Sequence, residues 1–135
     1  MAGLDGAVFY DGAAGGYCQI TFTRNSADID PSTGVLRDYT DAAWALKLYR
    51  KPGSATPDIT LTIDDGLTRT TNDADTQVLS ITITDAQLTT LLDGQSQRDI
   101  GYRWTVTPSG AAETGVKGNQ GWEGVFTVKG PALIQ

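Results

Sequence analysis

The chain has 135 residues, and its ten basic residues stand against sixteen acidic ones for a net charge of −6. That length suits one domain with a core that needs no metal or disulfide staple. No apolar run nears the ~18–20 residues that span a bilayer, the N-terminus lacks the basic and apolar regions of a signal peptide, and no basic patch marks a nucleic-acid partner.

Residues 1–16 are rich in Gly and Ala and hold one apolar triplet, Val8, Phe9 and Tyr10. They show no sustained period. They read as an N-terminal arm that docks Val8, Phe9 and Tyr10 onto a partner, because such a segment cannot make its own core. The first alternating stretch is Cys18-Gln19-Ile20-Thr21-Phe22-Thr23, a strand by its period of two. Residues 25–33, with Asp28, Asp30 and Pro31, read as a loop. Residues 43–49 place Trp44, Leu46 and Leu48 on one strand face. Ile59-Thr60-Leu61-Thr62-Ile63 alternates again and meets a turn signal at Asp64-Asp65-Gly66. Leu79-Ser80-Ile81-Thr82-Ile83 repeats the pattern.

One helix is expected next. Thr84-Asp85-Ala86-Gln87 has the form of a capping box, Leu88, Leu91 and Leu92 make one apolar face, and Gly94 stands at the stop. Tyr102, Trp104 and Val106 define a further strand face. Trp122, Phe126 and Val128 define the last. Fourteen of the sixteen acids are Asp, and with nineteen Thr and 16 Gly the composition favours strands and turns. The expected fold is all-β: a single antiparallel Ig-like β-sandwich of about seven strands, with one short helix between two late strands. The sandwich is expected over residues 17–130, with residues 131–135 as a C-terminal tail.

Catalytic chemistry finds little footing. There is no His, so Ser/His and Cys/His pairs are absent, and the single Cys18 allows no intrachain disulfide. Cys18 shares a face with Ile20 and Phe22 and reads as a buried structural thiol. The Asp clusters at residues 28–30, 64–65 and 73–75 fall where turns are expected, and none fits a calcium-loop spacing. A hydrolase built on an Asp pair is therefore disfavoured, and no catalytic, metal or cofactor site is expected. Trp44, Trp104 and Trp122 are expected in the core. For a glycan-binding module, the alternative reading, the stacking residues would be Tyr49, Tyr39 and Tyr10.

Four stretches in order resemble a known family. They are residues 34–42 leading into Trp44-Ala45-Leu46-Lys47-Leu48-Tyr49-Arg50, Ile81-Thr82-Ile83-Thr84-Asp85-Ala86-Gln87-Leu88, Gly101-Tyr102-Arg103-Trp104-Thr105-Val106, and Gly121-Trp122-Glu123-Gly124-Val125-Phe126-Thr127-Val128. The pattern is similar to small bacteriophage virion proteins with an Ig-like β-sandwich, as in the N-terminal domain of siphophage upper baseplate proteins. It departs at Asp38-Tyr39-Thr40-Asp41, where that family has Leu and then Gly. The resemblance implies a non-enzymatic structural protein of the virion, assembled in the host cytoplasm. Its implied partners are other virion proteins and copies of itself, without nucleic acid, membrane or cofactor.

Overall fold

The computed structural model describes residues 8–10, 16–24, 34, 36, 38–107 and 123–130. These form eight strands and one helix: β1 Val8–Tyr10, β2 Gly16–Thr23, β3 Ala43–Tyr49, β4 Ile59–Ile63, β5 Gly66–Asn72, β6 Thr76–Ile83, α1 Asp85–Leu92, β7 Gln97–Thr107 and β8 Glu123–Lys129. The fold is mostly β with one short helix, as the composition indicates. The strands share one sheet in the order β1-β8-β7-β3-β4-β5-β6-β2. The expectation of a purely antiparallel arrangement is corrected: β1 runs parallel to β8, and β4 meets β5 in parallel register over two residue pairs.

The alternating segments bury the faces their spacing indicates. Trp44, Leu46 and Leu48 of β3 lie inside, opposite Val106, Trp104 and Tyr102 of β7 in antiparallel register. Leu79, Ile81 and Ile83 of β6 and Ile20 and Phe22 of β2 face the same core. β5 is the exception in pattern. Its sequence Gly66-Leu67-Thr68-Arg69-Thr70-Thr71-Asn72 offers Leu67 as its one buried apolar side chain, and its pairing with β6 shifts register between Arg69 and Thr71. It is held as a strand by β6 beside it rather than by its own alternation.

The sheet rolls over on itself. In a flat sheet β2 would lie four strand spacings from β3, roughly 19 Å away. Instead the Phe22 ring packs edge-on against Trp44 with centroids 5.4 Å apart. Tyr39, from the segment before β3, joins them at 4.7 Å from Phe22, and Trp104 meets Trp44 at 6.0 Å. The roll brings the two outermost strands, β1 and β2, to within 8 Å between Cα atoms. Apolar rings from both halves thus meet across one continuous core.

The helix follows its sequence signals. Thr84 Oγ1 accepts from the Gln87 N–H at 3.2 Å, and Gln87 Oε1 accepts from the Thr84 N–H at 2.9 Å. Leu88, Leu91 and Leu92 are buried, and Asp93 and Gly94 end the helix in left-handed conformations. The Asp64-Asp65-Gly66 turn is equally literal. Thr62 and Asp65 exchange both backbone hydrogen bonds, at 3.0 and 2.9 Å, and Asp64 has φ 68°. Gly66 has φ +97°, and a Cβ there would come within 2.6 Å of Leu61 Cδ2. Only glycine lets the chain reverse this close to β4.

Candidate interaction surfaces

The first surface is the N-terminal triplet. Val8, Phe9 and Tyr10 align with Thr127, Val128 and Lys129 of β8. Phe9 is buried and meets the Phe126 ring edge-on at 5.2 Å. The expected division, an arm over residues 1–16 lying outside the domain, is therefore corrected for this triplet, which is an edge strand of the chain's own sheet. The physical reason is long-range. A parallel partner more than a hundred residues away leaves no local period in the sequence.

The second is the opposite edge. All eight residues of β2 pair with β6 on one side, and among the described residues no strand is hydrogen-bonded to its other side. Tyr17 stands on this strand at 68% exposure, the most exposed large apolar side chain among the described residues. Its hydroxyl lies 3.1 Å from Ser80 Oγ, which also accepts from Gln19 Nε2 at 3.4 Å. Cys18 is half-buried between them in sequence, and its thiol donates weakly to the Gln19 carbonyl at 3.8 Å. Burial pushes the Cys18 thiol above its ordinary pKa, against a nucleophilic role.

A third cluster had no signal in the sequence. Gln77 of β6 is fully buried, with every polar atom of its side chain engaged. Its Oε1 accepts from Trp44 Nε1 at 3.3 Å and from an Arg69 guanidinium N–H at 2.9 Å. Its Nε2 donates to Asn72 Oδ1 and to the Asp73 carbonyl at 2.9 and 3.0 Å. Arg69 also donates to the Ala42 carbonyl, and Asn72 and Asp41 exchange two hydrogen bonds at 2.8 Å each. The Gln77 amide is fully engaged, and the cluster fastens the 38–42 segment to the β5–β6 hairpin.

The remaining candidates are accounted for structurally. Asp64 and Asp65 form the β4–β5 turn, and Asp73 and Asp75 flank the β5–β6 turn. Asp28 and Asp30 lie outside the described residues, as does Trp122. Trp44 and Trp104 are buried as expected. Among the described residues no group of three or more Asp, Glu, Cys or His side chains is placed to hold a metal ion. Of the three tyrosines expected to stack on a glycan, Tyr39 and Tyr49 are buried at 0% and 7% exposure, and the Tyr10 side chain lies outside the described residues. Beside Tyr49 is a shallow pocket of about 280 Å³, bounded by the Pro52-Gly53-Ser54 turn, Gly101 and Val125. Its charged wall is already paired, Arg103 Nε to Glu123 Oε2 at 3.3 Å.

No protein-family model matches this chain, and no curated protein sequence is detectably similar to it.

Proposed function

We propose that the chain is a non-enzymatic bacteriophage structural protein that acts by protein–protein contacts in the virion, as a tail, baseplate or neck component or as a capsid decoration. The observation that carries this reading is the unclosed roll of the sheet. A closed barrel has no edges, whereas this sheet curls until β1 and β2 are neighbours and still leaves them unpaired with each other. An eight-residue edge with an exposed Tyr is a template for strand addition and offers an aromatic anchor.

The finer architecture we propose is Ig-like, with β1-β8-β7-β3-β4 and β5-β6-β2 as two facing layers. Three features support it. The first strand pairs parallel to the last, a short helix precedes β7, and Trp44 of β3 packs between Phe22 of β2 and Trp104 of β7. In antibody domains the corresponding strand-C Trp packs on a disulfide. Here aromatic rings would fill that place, suiting a chain with one Cys.

The test is quantitative mass spectrometry of purified particles of the phage that encodes the chain. Peptides of this protein are expected at a fixed ratio to the major capsid protein. Recovery of the protein only from the particle-free lysate would overturn the reading.

A further inference from the structure

We propose that Tyr17 and the pocket beside Tyr49 join one copy of this chain to the next: the Tyr17 ring of one molecule seats against the Pro52-Gly53-Ser54 turn and Gly101 of its neighbour. This rests on the assembly reading above and names its partner, a second copy of this chain.

The socket is built within one chain. Gly101 of β7 lets the turn lie against the strand, since a Cβ there would come within 3.0 Å of Pro52 Cα. The Ser54 N–H donates to the Lys51 carbonyl at 3.0 Å and closes the turn. Asp58 clamps its base, accepting from the Arg50 N–H and Nε at 2.7 and 3.1 Å. The hollow that remains, about 280 Å³ and shallow, suits a ring laid into it rather than a long side chain. The ring is fixed as well. The Tyr17 hydroxyl lies 3.1 Å from Ser80 Oγ, yet the residue is 68% exposed. Two preformed surfaces lose little conformational freedom on meeting.

Charge selects the pairing. Asp64 and Asp65 line one depression with Thr68 and Thr82, and Thr82 is the register partner of Tyr17. The ring is therefore flanked by two carboxylates. At the socket, Lys51 adjoins Pro52, and Lys47 is the register partner of Arg103, whose guanidinium pairs with Glu123. Neither these two Asp nor these two Lys side chains make an ion pair or hydrogen bond within the chain. In a chain of net charge −6, an acidic ring surface and a lysine-bordered socket are complementary where like surfaces would repel. The contact uses different surfaces on the two copies. It is heterologous, and it closes into a ring when the rotation permits.

The experiment exchanges the charges in two full-length chains. One carries Asp64→Asn and Asp65→Lys, the other Lys47→Glu and Lys51→Glu, all outside the core. Sedimentation velocity is run on each alone and on an equimolar mixture. Each alone is expected to associate at least about tenfold more weakly than the unmodified chain, and the mixture to recover assembly, because each altered surface then meets its complement. Ser54→Trp fills the socket without changing charge and is expected to weaken association by as much. Cooperative melting by circular dichroism confirms that each variant folds, and Ser54→Trp decides where a charge variant does not. Variants that assemble like the unmodified protein, or a mixture that does not recover, overturn this contact alone. An unmodified chain that stays monomeric at every concentration removes the assembly reading with it.

Discussion

Gln77 decides more of the core than its polarity suggests. It supplies the acceptor for Trp44 Nε1 and for Arg69, and its own amide is satisfied by Asn72 and Asp73. Replacing it with Leu keeps the volume but strands buried donors. Gln77→Leu is expected to cost about 1–3 kcal/mol in urea unfolding, with the Trp fluorescence of Trp44 perturbed in the folded state. Its partners Asn72, Asp73 and Arg69 lie four to eight positions away in a polar stretch that reads as a turn, and Trp44, which places the cluster in the core, lies 33 positions away. The tryptophans were more legible: alternation alone places Trp44 and Trp104 inside, and Trp44→Ala is expected to cost about 3–5 kcal/mol by the same measurement. Asp38 offers a pH test. Its carboxylate accepts from the Thr40 N–H at 2.9 Å, and this hydrogen bonding lowers its pKa. A lowered folded-state pKa means the contribution is present above the unfolded value of about 3.9 and is lost as pH falls through the folded value. Asp38→Asn should therefore shallow the loss of stability between neutral and strongly acid pH, measured as urea midpoints across that range.

Among the elements, legibility followed locality. Helix α1 was readable in full because a capping box and an i, i+3, i+4 apolar face are written within ten consecutive residues. Thr84→Ala should lower stability by about 1 kcal/mol, read from the thermal midpoint. The β4–β5 turn was readable for the same reason. Gly66→Ala must hold an L-residue at φ +97° and push into Leu61, so a loss of at least about 1–3 kcal/mol is expected in chemical unfolding. Strand β5 was not readable. Thr68, Thr70 and Thr71 with a single inward Leu67 give no period of two strong enough to stand apart from a polar loop, and the register shift breaks what remains. The three residues of β1 show in sequence as an apolar triplet without strand periodicity, since their ladder is to the far end of the chain.

For the molecule as a whole, sequence spacing indicates many short strands around an aromatic core, and it does not indicate how the sheet rolls over. That depends on the Phe22–Trp44 contact across the roll and on the placement of β1, neither of which has a local signature. The consequence for the N-terminus is direct. Phe9→Ala should cost about 3 kcal/mol, because the ring is part of the core, whereas a side chain on a detached arm would leave the melting temperature unchanged. The proposed function requires the sheet to be extended by other molecules along its edge strands. Charged side chains on an edge strand block such pairing without entering the core. Sedimentation velocity over a concentration series, comparing the full chain with a Tyr17→Lys, Thr21→Lys variant, tests this most directly. Reversible, concentration-dependent assembly of the unmodified protein and a folded monomer for the variant are expected; an unmodified chain that sediments as a monomer at every concentration would rule out assembly through these edges.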